Sequence, residues 1–410
     1  MAQCYAPEEV SAAVLITELA SDLAKQGHQV TVITGAPNYP SGTVFPGYRN
    51  PVYQTEWLDG VRVIRTWSYI TPQKSFWRRI LHYGTYSASA FYGSLLAGRP
   101  DILVSFSPPL PLGLSAWLLS RLWRVPWVLQ IEDLFPEAAV ETGILRNRPA
   151  IAFFRAMALF LYNHASHISV IAESFRQNLL RKGVPAERIT LIPVWADPDL
   201  VRPLNRENRF RREHDLVGKF VIMYAGNLGF TSCMEDVLEA AELLKEDAKI
   251  RFVIIGEGVK RAELEGWARN KKLENILFLP YQPRGIFPEM MAAADLSLVT
   301  LNSSSSLSSL PSKTFNIMAS ARPILAIAPA ESEIAQIVEE AECGLAIPPE
   351  HAELLAQAIR KLRYQDQRMA EIGQNGRKLL ETRYARASCV RMYECMLLKL
   401  FRNEHELDES

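Results

Sequence analysis

The stretch Lys219–Gly229, KFVIMYAGNLG, decides the fold. Six apolar residues in a row, Phe220 to Ala225, are too few for a core helix and too continuous for a half-exposed strand. Their spacing predicts a strand covered on both faces, as in a parallel sheet. Gly226 and Gly229 then close a turn, and helical spacing resumes over Met234–Leu244. Glycines at such a turn let a ligand approach the backbone, and the free N–H groups of the following helix suit an anion. An ordinary strand-to-helix turn has the same appearance, so these residues alone leave both readings open.

The rhythm repeats on either side. Downstream come the strand-like IRFVIIGEG, a helix over Lys260–Asn270, NILFLPYQP, a helix over Phe287–Ala294, DLSLVTL, PILAIA and CGLAIPP. Upstream lie a helix over Val10–Gln26, QVTVITG, VRVIRTW, a helical region over residues 75–97, PDILVSFSPP, a helix over Leu112–Trp123, PWVLQIED, a helix from Pro149, HISVIAES and ITLIPVWAD. Short apolar strands alternating with helices predict an α/β protein whose strands run parallel. We expect two Rossmann-like doubly wound domains, residues 1–200 and 201–384, with a charged connector over Asp197–Lys219. A last amphipathic helix, within residues 385–410, is expected to pack back on the body. Ligands are expected in a cleft where the carboxyl ends of both sheets face each other. Only MAQCY precedes the first loop, so the first strand is expected to be shortened, through truncation or a downstream start codon.

Composition removes several function classes. Lys plus Arg and Asp plus Glu number 45 each in 410 residues, which gives no global charge for nucleic acid. Five scattered cysteines without a C-x-x-C pair argue for a reducing compartment and against a disulfide frame or a zinc site. The opening MAQCYAPEEV lacks the basic start and apolar run of a leader. The most apolar segment, Ala150–Ile171, is interrupted by Arg155, Asn163, His164 and His167, too broken to span a bilayer. A cytoplasmic protein is expected, at most peripheral on the inner face of the plasma membrane. The candidate contact is Trp67–Tyr92, where aromatics mix with Lys74, Arg78, Arg79 and His82. A helix with aromatic core contacts and a solvated charged side fits the same residues.

Two further turns carry chemistry. IIGEGVKRAEL places Glu257 between glycines at the same strand end, where a carboxylate repels phosphate but can bond a base or sugar hydroxyl; a solvated turn residue fits equally. LPSKTFNIMASARPIL, Leu310–Leu325, follows a serine run; Ser309 suits an N-cap and Pro311 a first helical position. Lys313 then falls in the first turn, where the helix dipole disfavours a cation by about 0.3–1 kcal/mol. A bound anion would account for it; so would simple solvation. Asp197-Pro198-Asp199 has the form of a metal-holding D-x-D but reads better as a turn in the connector.

Taken in order, YAGNLG, IIGEGVKRAEL, LPSKTFNIMASARPIL, ESEIAQIVEEAECGLAIPP, YAPEEVSAA, LASDLAKQGHQVTVITGAPNYPSG and IEDLFPE resemble glycosyltransferase family 4. Within it they are similar to the bacterial branch that builds surface polysaccharide, the colanic-acid and O-antigen fucosamine transferases. The resemblance implies the GT-B fold and transfer of a sugar from a nucleotide-diphosphate sugar to a lipid-linked or oligosaccharide acceptor. It further implies retention of anomeric configuration, with the donor as substrate and neither cofactor nor metal. By that likeness Gly226, Asn227, Gly229 and Ser312 meet the donor diphosphate, with Lys313 as its charge partner. Glu257, Tyr281 and Gln282 lie toward the base, and Asn316 toward the ribose. Asp133, ending PWVLQIED, faces the acceptor hydroxyl by that likeness, while an aspartate capping the Asp-Leu-Phe-Pro turn fits the same residue; Asn38 and Tyr39 of PNYP contact the acceptor. One departure is plain: the wider family has two glutamates separated by seven residues, and this chain has Ser308 and Asn316 there. Two rivals stay open, a sugar-nucleotide epimerase of the same fold and a non-catalytic scaffold of a polysaccharide assembly complex.

Overall fold

The computed structural model describes residues 1–73, 75–305 and 310–408. The chain forms two compact units, Met1–Pro193 with Cys389–Ser410, and Val194–Ser388. The last helix, Arg386–Asp408, thus lies mostly with the first unit, where His28 Nε2 meets Glu394 Oε1 at 2.9 Å.

Among the described residues the first unit holds seven strands in two sheets. β1 (Thr31–Thr34), β2 (Tyr53–Leu58) and β3 (Val61–Thr66) form one, in the order β1-β3-β2. β4 (Leu103–Ser107), β5 (Trp127–Ile131), β6 (His167–Val170) and β7 (Ile189–Leu191) form the other, in sequence and all parallel. Residues 1–3 lie between the two. Ala2 N–H donates to Ile33 O at 3.0 Å, and Phe106 N–H donates to Met1 O at 3.1 Å. The first segment therefore takes a central place while contributing only a few rungs.

One strand departs from the parallel expectation: β2 runs antiparallel to β3. The cause is local. Asp59 and Gly60 both have positive φ, 49° and 81°, and Leu58 pairs with Val61 across them. Two left-handed residues give the tight turn whose twist suits a hairpin, for which Asp-Gly is a strong sequence signal. β2 is an exposed edge strand, so it lacks the continuous apolar run that marks the other strands.

The second unit is one six-stranded parallel sheet. Its strands are β8 (Phe220–Ala225), β9 (Ile250–Ile255), β10 (Ile276–Leu279), β11 (Leu296–Thr300), β12 (Ile324–Ile327) and β13 (Gly344–Ile347). The order is β10-β9-β8-β11-β12-β13. Counted within the unit this is 3-2-1-4-5-6, the doubly wound order that reverses direction between its first and fourth strands. β8 and β11 are buried along nearly their whole length, as covering on both faces requires. The opposite, amino end of this junction is fixed by Asp295. Its carboxylate accepts Val221 N–H at 2.7 Å and pairs with the buried Arg211 at 2.5 Å.

Candidate functional site

The carboxyl ends of β8 and β11 make the crevice of the second unit, since adjacent connections leave there in opposite directions. β8 ends in Tyr224 and Ala225, and the chain turns at Gly226. Tyr224 is buried, and its hydroxyl donates to Asn227 O at 2.8 Å, which braces the glycine turn from beneath. The turn also locks onto the next one: Leu228 N–H donates to Glu257 O at 2.8 Å, and Lys260 N–H donates to Leu228 O at 3.0 Å. A Cβ on Gly256 would overlap the Gly226 carbonyl oxygen, and one on Gly258 would overlap Leu228 O. These two glycines are thus required by backbone packing.

Lys313 arrives at this point from the other side. Its helix, Lys313–Ala319, follows Ser312 and ends where Ala321 takes a positive φ of 52° ahead of Pro323 and β12. The helix begins two residues later than the proline spacing predicts. Thr314 N–H donates to Pro311 O at 3.1 Å, so Pro311 opens the turn from outside it. Ser308 and Ser309 lie outside the described residues. The Lys313 ammonium sits 3.7 Å from the centroid of the Tyr224 ring. A Cβ on Gly226 would come within 2.5 Å of Nζ. A cation over an aromatic face is held electrostatically by the ring quadrupole. Among the described residues no carboxylate pairs with it, so its charge is available to an anion at the turn.

The remaining predicted donor residues are more dispersed. Asn227 is exposed beside the buried Gly229, and Asn316 is half-buried one turn below Lys313. Glu257 Oε1 accepts from Arg261 Nη1 at 2.6 Å, and that same nitrogen donates to Gly256 O at 2.7 Å. Tyr281 is half exposed, and Gln282 Nε2 donates to Pro280 O at 2.9 Å.

In the first unit the carboxyl end of β5 carries two adjacent carboxylates, Glu132 and Asp133. Glu132 N–H donates to Ser107 O at 2.8 Å, fixing the turn to β4. Glu132 Oε1 accepts from Gln130 Nε2 at 3.0 Å. Both side chains keep some exposed surface, yet crowding by protein atoms pushes each carboxyl up to about 7; the Asp133 charge adds to the rise at Glu132. Glu132 was not visible as a site residue, because only packing distinguishes it from a solvated loop acid. Tyr83 lies within electrostatic reach of Asp133, Arg79 and Tyr39, so these groups share one end of the unit. Asn38 is half-buried and donates from Nδ2 to Ala36 O at 2.9 Å, while Tyr39 keeps 46% of its surface exposed.

Both units are built mainly on parallel strands, and the second brings a cation and a glycine turn together at its switch point. The chain matches the family described as Glycosyl transferase 4-like domain over residues 12–195, and Glycosyl transferases group 1 over residues 205–379. It is 30% identical over 378 residues to WcaI of Escherichia coli (strain K12), named for colanic acid biosynthesis, covering 87% of this chain and 89% of that one. It is 29% identical to the glycosyltransferase WbjE of Pseudomonas aeruginosa, covering 72% and 75%. The fold matches Anabaena HepE, solved with UDP-glucose, with a TM-score of 0.71 at 15% identity over 97% and 98% of the two chains. The chain belongs to glycosyltransferase family 4, of GT-B fold.

Proposed function

We propose that the protein moves a sugar from a nucleotide-diphosphate sugar to a lipid-linked saccharide acceptor in surface polysaccharide assembly, with retention and without a catalytic metal. The observation that carries this reading is the Lys313 ammonium stacked on Tyr224 beside Gly226, at the switch point of the second sheet. Cleavage of the anomeric C–O bond leaves negative charge on the departing diphosphate. Lys313 and the amides around Gly226–Gly229 and Ser312 stabilise that charge as it forms, which is the usual largest contribution to such catalysis. Asn316 holds the ribose, and Glu257, Tyr281 and Gln282 border the base.

The acceptor binds the first unit. Its hydroxyl oxygen bonds to the anomeric carbon on the face the diphosphate leaves, and its proton passes to a diphosphate oxygen with Asp133 assisting. A carboxyl pushed up to about 7 is well matched to proton transfer near neutral pH.

A membrane partner is supported by three neighbouring helices of the first unit. The helices Phe76–Ala97, Leu110–Trp123 and Arg148–His164 contain no Asp or Glu but carry Arg78, Arg79, Arg121, Arg148 and Arg155. They pack side by side: Ser115 Oγ donates to Ser87 O at 2.9 Å, and the Trp117 and Phe160 rings meet edge to face at 4.9 Å. Trp77, Leu81, Tyr92, Leu122 and Phe153 are exposed on them. Apolar side chains among arginines suit an anionic bilayer surface. No helix among the described residues is long and apolar enough to cross a membrane. Flotation with anionic vesicles should exceed that with zwitterionic ones; equal flotation removes the membrane from the account.

The test of the function is incubation with a panel of sugar nucleotides, headed by UDP-glucose, and lipid-linked acceptors, following nucleotide release and product mass. Release coupled to a heavier acceptor supports the proposal. Isomer exchange of the donor would make the protein an epimerase, and the absence of both a scaffold.

A further inference from the structure

Glu8 looks, in sequence, like an acid placed ahead of the helix Ser11–Lys25, where it would favour the positive helix end. The structure gives it another task. The residue capping that helix is Val10, and no side chain caps it. Glu8 is instead 5% exposed, and its carboxylate collects three main-chain N–H groups. Oε1 accepts from Asn38 and Tyr39, both at 2.8 Å, and Oε2 accepts from Tyr5 at 3.3 Å. From the other side Arg65, 1% exposed, donates to Ala6 O at 2.6 Å and Gly35 O at 3.1 Å. Two buried side chains of opposite charge therefore fasten the first loop to the turn after β1. Burying a carboxylate is costly unless its lone pairs are filled, and here backbone donors fill them.

We propose that Glu8 is a positioning residue for the acceptor: it fixes the 37–40 turn and so sets the exposed Tyr39 ring at the carboxyl end of β1. The inference rests on reading this end of the first unit as the acceptor end. Tyr39 is the exposed member of the turn that follows β1, and Asp133 follows β5; residues 1–3 bond to Ile33 of β1 and to Phe106 of β4, and β4 pairs in parallel with β5, so both turns leave the carboxyl ends of adjoining strands. A shift of the turn therefore moves the surface that the proposed acceptor contacts.

The chemistry of the carboxylate gives graded variants. In Glu8→Gln the amide oxygen keeps the two bonds from Asn38 and Tyr39, while the amide nitrogen, a donor, faces the Tyr5 N–H and loses that one bond. Glu8→Asp is one methylene short, and Glu8→Ala offers nothing. Acceptor KM should rise about tenfold or more in Glu8→Ala and Glu8→Asp and less than about threefold in Glu8→Gln, with donor KM unchanged, as loss of charged hydrogen bonds implies. Hydrogen exchange of the Asn38 and Tyr39 amides, followed in the full-length protein, should lose protection in the same order. Persistence of protection in Glu8→Asp would overturn the latch itself. Lost protection with an unchanged acceptor KM would show a real latch and an acceptor bound elsewhere, overturning the positioning role. A parallel fall in kcat for donor hydrolysis and acceptor transfer would reduce Glu8 to a stabiliser of the fold. Should Glu8→Ala not fold, Glu8→Asp and Glu8→Gln carry the comparison alone.

Discussion

The two candidate ends are built by opposite means. The donor end of the second unit is a backbone construction: two glycine turns packed carbonyl to glycine, with one lysine laid on a tyrosine. The acceptor end of the first unit is a side-chain construction, in which Glu8, Glu132, Asp133 and Arg65 are drawn into crowded surroundings and satisfied or pushed up in pKa. A backbone site recognises what all donors share, a diphosphate. A side-chain site can be rebuilt for each acceptor, and its chemistry depends on protonation. The contrast predicts that substitutions at the donor end act through sterics and charge, and at the acceptor end through pH.

The largest effect should come from Asp133→Asn, which removes the assisting carboxyl. General-base assistance contributes about 10²–10⁴-fold, and kcat should fall within that range while donor binding stays intact. An unaltered kcat would return Asp133 to the role of a turn residue.

Gly256→Ala should rank next. Its Cβ would overlap the Gly226 carbonyl oxygen, and its φ of 147° is one side chains rarely adopt. A cost of about 1–3 kcal/mol is expected from the urea midpoint. Gly285→Ala, with nothing within 4 Å of its Cβ, should be near neutral. Equal effects at the two positions would break the idea of an interlocked backbone.

The pH dependence separates the ends further. With Glu132 and Asp133 raised to about 7, the folded state binds more protons than the unfolded chain between their ordinary values and 7. Their contribution to stability is therefore full at pH values below the ordinary carboxylate range and is lost as pH rises through about 7. Glu132→Gln should flatten the fall in melting temperature over that window. Transfer by the unaltered protein should rise through the same pH as Asp133 ionises, and Asp133→Asn should lose that limb.

Asn316→Glu should have the smallest effect. Exchanging a neutral for a charged hydrogen bond is worth about 1 kcal/mol, so donor KM should stay level or fall severalfold. Complete loss of activity would mean the ribose lies elsewhere.

The contrast also explains what the sequence disclosed. The second unit was legible because a buried parallel strand writes itself as a continuous apolar run and its turn as glycines. KFVIMYAGNLG therefore announced the buried strand and the turn that follows it. The Asp59-Gly60 hairpin was signalled too, but the edge strand β2 lacks an apolar run and passed unread. Tyr224 carried a faint signal: a hydroxyl at the buried end of a strand needs a partner, here Asn227 O. Glu8 and Glu132 carried none, because an acid near a loop is ordinarily solvated and only tertiary packing draws these two inward.

The most direct measurement is titration of a nucleoside diphosphate into the protein and into Lys313→Ala, with circular dichroism to establish that both are folded. If Lys313 is the charge partner of the diphosphate, the variant should bind at least about tenfold more weakly, since one hydrogen bond to a charged group contributes about 1.5–3 kcal/mol. Equal affinity in a folded variant would contradict the account, leaving the cation on Tyr224 as a feature of packing alone.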